Sequence, residues 1–67
     1  RVNSIAPGFI NTEMVAGMPD HVKEGLSKMV PLGRIGEPDE VAKAAEFIFM
    51  NDYFSGRCID LDGAQRL

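Results

Sequence analysis

The chain has 67 residues and a single cysteine, so it is near the lower size limit for independent folding and cannot form an internal disulfide. Its 45% hydrophobic and 25% charged residues exclude an intrinsically disordered segment. The net charge is −3 and the basic residues are dispersed, so the sequence has no basic patch that would bind nucleic acid. The apolar runs are far shorter than the roughly 18 residues of a membrane span. A globular chain this short indicates a missing partner or a missing remainder, and we expect Arg1 to be an internal cut point.

The first half of the chain predicts a strand, a loop and a helix. Residues 2–6 are partly β-branched and end at Pro7-Gly8, which predicts a short strand followed by a turn. Residues 9–18 have no clean period and predict an ordered loop. Residues 19–30 predict a helix that begins at Pro19 and carries Gly25 in its middle, at a cost of about 1 kcal/mol relative to alanine. The apolar residues of that helix fall on one face: Val22, Leu26, Met29 and Val30.

The second half predicts a stronger helix and a final strand. Residues 31–36 predict a loop. The helix is expected over Pro38–Met50, opened by Pro38 with Asp39 and Glu40 in its first turn. Its apolar stripe consists of Val41, Ala44, Ala45, Ile48 and Phe49. Residues 53–56 predict a turn, and residues 57–61, from Arg57 to Leu61, alternate as a half-exposed strand does.

The order strand, loop, helix, helix, strand predicts an α/β fold with a parallel pair of strands. Two parallel strands joined through helices form a crossover, and such strands usually belong to a larger sheet that is covered on both faces. Two strands alone leave unpaired edges. The pattern therefore also favours part of a larger domain.

Four motifs occur in order along the chain. They are Arg1-Val2-Asn3-Ser4-Ile5-Ala6-Pro7-Gly8-Phe9-Ile10-Asn11-Thr12, Pro31-Leu32-Gly33-Arg34-Ile35-Gly36, Glu37-Pro38-Asp39-Glu40-Val41-Ala42, and Phe54-Ser55-Gly56 followed by Leu61-Asp62-Gly63. Together they resemble the C-terminal segment of the short-chain dehydrogenase/reductase family, at the family's spacing and over essentially all 67 residues. The tail at Ala64 departs from the more usual Gly-Gly ending.

This resemblance implies the C-terminal part of a Rossmann-type doubly wound parallel sheet, with residues 1–67 as a single partial domain that binds NADP or NAD. The implied cofactor-binding residues are Pro7, Gly8, Ile10 and Thr12. Pro7 and Gly8 would shape a wall beside the nicotinamide, since proline fixes a backbone angle and glycine permits close approach. Ile10 would offer backbone groups to the carboxamide, and Thr12 a hydroxyl that both donates and accepts.

The resemblance also implies a substrate lid over residues 9–30. Its apolar side chains would line a pocket for the substrate: Phe9, Met14, Met18, Val22 and Leu26. Methionine suits such a pocket because its side chain adapts to irregular shapes. The substrate implied is a 3-oxo or 3-hydroxy acyl thioester or a related carbonyl or alcohol, since the motifs look most like those of 3-oxoacyl-[acyl-carrier-protein] reductases and of 3-hydroxyacyl-CoA and 17-beta-hydroxysteroid dehydrogenases.

The family's catalytic serine and Tyr-x-x-x-Lys motif lie upstream of the matching segment, so we expect no catalytic residue in this chain. Tyr53 is the only tyrosine, and Arg57 stands where the motif requires lysine. One cysteine and one histidine also give no recognisable metal site. We expect His21 and Cys58 to be ordinary surface or strand residues, and Arg34 to hold its loop through carboxylate or carbonyl contacts.

An alternative function is a non-catalytic module that carries the cofactor loop and assembles subunits. Family members commonly form tetramers, and the resemblance implies a homo-oligomer joined through the Pro38–Met50 helix and the strand of residues 57–61. Phe47, Phe49 and Met50 supply an apolar surplus that suits such an interface. The sequence does not identify the cellular compartment, and we expect the cytoplasm or the mitochondrion.

Overall fold

The computed structural model describes residues 1–65. Five elements follow in chain order: β1 (Ser4–Pro7), α1 (Glu13–Ala16), α2 (Asp20–Lys28), α3 (Pro38–Met50) and β2 (Cys58–Leu61). The two strands pair in parallel, with Ser4 opposite Cys58 and Pro7 opposite Leu61. The predicted crossover is therefore confirmed, and both strands end at the same edge of the sheet.

Helix α3 occupies the predicted residues and packs against β1. Pro38 stands in the first helical turn, and the Glu37 N–H donates to Glu40 Oε1 at 3.0 Å, which satisfies one amide at the start of the helix. Val41, Ala44 and Ile48 form the half-buried side of α3. The apolar stripe is narrower than predicted, because its remaining members, Ala45 and Phe49, are exposed.

The predicted helix over residues 19–30 is shorter than expected at both ends. Pro19 has φ −58° and ψ 148°, an extended conformation, so it precedes the helix and Asp20 is the first helical residue. At the other end the amides of Met29 and Val30 donate to carbonyls three residues earlier, at 3.1 and 3.2 Å. Such bonds tighten and end a last turn. Val30 thus lies beyond α2, where it is 4% exposed and is the one buried apolar residue among residues 1–65.

The sequence predicts a loop throughout residues 9–18, whereas the structure places α1 within them. The helix is one turn long and is closed by the Ala16 N–H, which donates to the Thr12 carbonyl oxygen at 2.8 Å. A single turn contains too few residues to show a helical period in the sequence. The strand bounds also shift slightly, from residues 2–6 to Ser4–Pro7 and from residues 57–61 to Cys58–Leu61.

The N-terminal residues are fastened to the end of α3. The Arg1 guanidinium donates to the carbonyl oxygens of Ile48 and Phe54 at 2.8 and 3.0 Å, so a positive charge lies at the negative end of the helix. The Asn3 amide donates to the Phe54 carbonyl oxygen at 3.0 Å. These contacts fix where β1 begins beside the turn that leads into β2. No helix within residues 1–65 has the length and apolar character needed to cross a membrane.

Candidate functional site

The loop that follows β1 lies at the carboxyl edge of the parallel strands. The Gly8 N–H donates to the Leu61 carbonyl oxygen at 2.9 Å, which extends the pairing one residue beyond the strand. A Cβ on Gly8 would lie 2.9 Å from the Asp62 Cβ, so a side chain there has no room. Glycine at this position therefore lets the loop approach the end of β2 closely.

Ile10 is held by an isolated parallel bridge to Gly36. The Gly36 N–H donates to the Phe9 carbonyl oxygen at 2.8 Å, and the Asn11 N–H donates to the Gly36 carbonyl oxygen, also at 2.8 Å. The Ile10 carbonyl oxygen accepts from the Thr12 N–H at 2.8 Å. Within residues 1–65 the Ile10 N–H itself has no acceptor. The peptides on either side of Ile10 are thus fixed, while its own amide remains available to an external group.

Thr12 stands immediately before α1 with an exposed side chain. Its backbone is extended, as is usual for a residue that caps a helix, yet its hydroxyl makes no capping hydrogen bond. This hydroxyl can therefore serve a bound molecule without breaking a contact of the helix. Thr12 and the Ile10 amide are two residues apart along the same loop.

Arg34 and Glu40 form a two-pronged ion pair across the loop that precedes α3. The guanidinium Nη1 and Nη2 lie 2.7 and 3.0 Å from Glu40 Oε1 and Oε2, and Nη1 also donates to the Ile35 carbonyl oxygen at 3.2 Å. The expectation that Arg34 holds its loop is confirmed. The hydrogen bonds from Arg34, and then the one from the Glu37 N–H, lower the pKa of Glu40 from 4.5 to about 2. The same pairing with Glu40 raises the pKa of Arg34.

A small cleft lies between the loop that follows β1, the residues that follow α2 and the end of β2. Its lining residues are Phe9, Ile10, Val30, Leu32, Arg34, Gly36, Glu40, Leu61, Asp62 and Gly63. Gly63 has φ +61°, and a Cβ built on it would meet Val30 Cγ1 at 2.5 Å, so the cleft is closely packed at this end. The sequence predicts Val30 on the apolar face of a helix within the lid and assigns no site role to Gly63, because the proximity of the two depends on the chain folding back over more than thirty positions.

The predicted substrate-side residues differ in exposure. Phe9 is half-buried and lines the cleft, whereas Met14 is 79% exposed and Val22 is 37% exposed. Met18 and Leu26 are half-buried, and neither belongs to the described lining of the cleft. The role of these five residues in a substrate pocket stays a prediction.

The remaining chemically active side chains lie on the surface. Tyr53 is fully exposed in the turn after α3, and His21 and Cys58 are exposed as expected. The Cys58 Sγ lies 3.8 Å from Asp60 Oδ1. In residues 1–65 no three His, Cys, Asp or Glu side chains are grouped so that they could hold a metal ion.

Comparison with known proteins gives close matches over the whole length. A family model described as Enoyl-(Acyl carrier protein) reductase matches residues 1–63. The 3-oxoacyl-[acyl-carrier-protein] reductase of Chlamydia muridarum is 49% identical over 65 residues, which are 94% of this chain and 26% of that protein. The crystal structure of 3-hydroxyacyl-CoA dehydrogenase type-2 from Mycobacterium avium is similar to 100% of this chain and 25% of its own, with 40% identity and a TM-score of 0.90.

A third similar structure is a small-chain dehydrogenase in complex with NADPH, with 36% identity and a TM-score of 0.84 over 97% of this chain and 32% of that one. The matches confirm the predicted resemblance and the fold class, the C-terminal part of a Rossmann-type doubly wound sheet. The chain spans about a quarter of the length of the Chlamydia relative.

Proposed function

Because the chain belongs to the short-chain dehydrogenase/reductase family, whose members use NAD(P)H, we propose that it supplies the nicotinamide-side loop of an oxidoreductase. The reaction proposed is hydride transfer between nicotinamide and a 3-oxo or 3-hydroxy acyl thioester, or a related carbonyl or alcohol. The observation that carries this proposal is the loop at the carboxyl edge of β1 and β2, in which the Ile10 N–H donates to no described residue and the exposed Thr12 hydroxyl makes no capping hydrogen bond. Ligands of doubly wound sheets bind at that edge.

The proposed binding mode assigns a separate task to each residue of the loop. Pro7 and Gly8 form the wall beside the nicotinamide, and the tight approach of Gly8 to Asp62 supports that assignment. The Ile10 N–H donates to the carboxamide oxygen. The Thr12 hydroxyl contacts the carboxamide or a phosphate oxygen. The fixed peptides around Ile10 favour this mode, because a donor that is already oriented loses little entropy on binding.

Residues 9–30 are proposed as the substrate lid. The lid would contain α1 and α2 and would present Phe9, Met14, Met18, Val22 and Leu26 to an apolar acyl chain. The exposure of Met14 and Val22 supports this assignment, since both side chains remain accessible to a ligand. The pocket would be completed by parts of the domain that precede these residues in the relatives.

The catalytic groups are proposed to lie outside residues 1–67. Protonation of a carbonyl oxygen requires an acid within hydrogen-bond reach, and Tyr53 is remote from the proposed loop in sequence and followed by no lysine at the required spacing. We therefore expect the 67-residue chain alone to show no turnover.

The test is a chimera in which residues 1–67 replace the matching segment of the Chlamydia muridarum reductase. NADPH consumption is measured with an acetoacetyl thioester, and the unmodified reductase and the isolated 67-residue chain serve as controls. We expect turnover by the chimera and none by the isolated chain. A folded chimera that neither binds NADPH nor turns over would contradict the oxidoreductase proposal, and turnover by the isolated chain would contradict the upstream location of the catalytic groups.

A second role in subunit assembly is favoured by the exposed apolar side chains on α3. Phe47, Phe49 and Met50 are 48%, 77% and 72% exposed. We propose that α3 and the strand of residues 57–61 form a homo-oligomer interface, with a tetramer as the assembly. Sedimentation of the chimera should show a tetramer that the Phe49→Glu substitution dissociates. An unchanged mass in that variant would contradict the assignment of α3.

A further inference from the structure

The Arg34–Glu40 pair closes residues 34–40 into a ring. Both guanidinium N–H groups face the two carboxylate oxygens of Glu40, and parallel bonds of this kind fix relative orientation as well as distance. Glu40 is itself immobilised, since it lies within α3 and Oε1 also accepts the Glu37 N–H at 3.0 Å. One side of the ring is the rigid start of α3. The other side, residues 34–36, follows a path that depends on the ion pair.

Gly36 lies on the side of the ring whose path depends on the ion pair, and it is the residue that pairs with Ile10. Both of its backbone groups are used, one toward the Phe9 carbonyl oxygen and one toward the Asn11 N–H. A Cβ on Gly36 would lie 2.9 Å from Cδ1 at the end of the Ile10 side chain and 3.7 Å from the Phe9 carbonyl oxygen, so Gly36 lies directly against this loop. The Asn11 side chain adds a longer contact, 3.4 Å from each carboxylate oxygen of Glu37.

We propose that Arg34 and Glu40 are positioning residues for the cofactor loop: through Gly36 they set the direction of the Ile10 N–H. The inference rests on the proposed function, because it assigns a purpose to a loop proposed to hold nicotinamide. Neither side chain contacts the cofactor. Their effect passes along Arg34–Glu40, the Gly36 peptide and the peptides that flank Ile10.

The Arg34–Glu40 pair affects the orientation of the loop more than the stability of the fold. An ion pair as exposed as this one, with side chains 57% and 34% accessible, contributes little to the stability of the fold. Its geometric effect persists, because two fork-shaped bonds restrict how residues 34–36 approach the loop. Loss of the pair should therefore leave the domain folded while the Ile10 amide becomes misaligned.

The test uses Arg34→Gln and Glu40→Gln in the chimera described above. Glutamine at position 40 keeps the size of the side chain but replaces one acceptor oxygen with an NH2 group that only donates, so it cannot accept from both guanidinium nitrogens in this arrangement. We expect the Kd for NADPH to rise about three- to tenfold in each variant, the range that one misaligned hydrogen bond spans. The KM for the acyl thioester and the thermal midpoint should remain unchanged.

The control is Asp52→Asn, which removes one negative charge from an exposed turn residue outside the ring. It should bind NADPH as the unmodified chimera does. Arg34→Lys keeps the positive charge but not the two-pronged geometry, so its Kd for NADPH should lie between those of the unmodified chimera and Arg34→Gln. If Arg34→Gln does not fold, Arg34→Lys provides the same test. In the double variant the effect should be smaller than the product of the single effects, because both act on one contact.

The outcomes separate this inference from the proposal on which it depends. If the unmodified chimera is folded and does not bind NADPH, both are overturned. If it binds NADPH and the variants bind equally well, only the positioning role is overturned. The positioning role is also overturned if the Kd for NADPH, the KM for the acyl thioester and the thermal midpoint all change together, since that pattern indicates a general loss of structure.

Discussion

Replacing Gly63 by alanine should destabilise the domain by an amount that its surroundings determine. Gly63 has φ +61°, in the left-handed region, where an L-residue costs roughly 1–2 kcal/mol. The added Cβ would also lie 2.5 Å from Val30 Cγ1, the side chain of the single buried apolar residue of residues 1–65. Overpacking of this kind costs about 1–3 kcal/mol. The two effects together lower the free energy of unfolding by about 2–5 kcal/mol.

Gly33→Ala is the matched control for this prediction. Gly33 has φ +82°, yet a Cβ there would meet no atom within 4 Å. Alanine at position 33 therefore bears the backbone cost alone, about 1–2 kcal/mol. In a chimera of ordinary domain size each kcal/mol lowers the thermal midpoint by roughly 2–4 °C, so Gly63→Ala should lower it by roughly 4–20 °C and Gly33→Ala by less.

Thermal unfolding followed by circular dichroism measures both variants. If Gly63→Ala cost no more than Gly33→Ala, the close contact between Gly63 and Val30 would be refuted. Combining Gly63→Ala with Val30→Ala tests the cause directly, because the smaller side chain removes the clashing atom. The double variant should then be more stable than the sum of the single effects predicts.

Three further predictions concern neighbouring parts of the molecule. Ala64 has φ 72°, a backbone angle that glycine adopts without strain. Ala64→Gly should therefore raise the free energy of unfolding by up to about 1 kcal/mol, once the greater freedom of glycine in the unfolded chain is subtracted. A lower thermal midpoint would contradict this. The folded-state pKa of Glu40, about 2, is below its ordinary 4.5, so its ion pair contributes stability above pH 4.5 and loses it as the pH falls toward 2. NMR titration of the Glu40 carboxyl should show this low pKa, and Arg34→Gln should raise it; an unshifted titration would contradict the pairing. Thr12→Val keeps the side-chain volume but removes the hydroxyl, so the Kd for NADPH should rise about three- to tenfold, while Thr12→Ser should bind almost normally; equal binding by both variants would count against a role for the hydroxyl.

The parts of the fold that could be predicted are those with local signals. Helix α3 has a proline at its start and a sustained apolar period, and its observed bounds equal the predicted ones. The alternation of Ile59 and Leu61 with exposed Cys58 and Asp60 likewise appears in β2 as half-buried and exposed positions. Local periodicity identified both elements, and the helices between them implied the parallel pairing.

The errors arose where a contact distant in sequence decides the local structure. Val30 has the helical spacing of Leu26, but it leaves α2 and is buried against Gly63. Proline occurs both as the first helical residue and just before a helix, and only the extended ψ of Pro19 distinguishes these cases. The bridge from Ile10 to Gly36 has no local signal at all, since neither residue belongs to a strand.

The site residues proposed from the sequence stay predictions, and their contacts could not be predicted for the same reason. Its residues came from a resemblance of motifs, which gives identities and order but no contacts. That Arg34 reaches Glu40, and that Gly36 thereby meets the loop containing Ile10, became visible only in three dimensions.

The central claim, that the loop after β1 holds nicotinamide, is tested most directly by a crystal structure of the chimera with NADP⁺. We expect the carboxamide oxygen within hydrogen-bond distance of the Ile10 N–H and a cofactor oxygen or nitrogen within reach of the Thr12 hydroxyl. A structure in which the nicotinamide is bound elsewhere, with the Ile10 amide facing solvent, would contradict it.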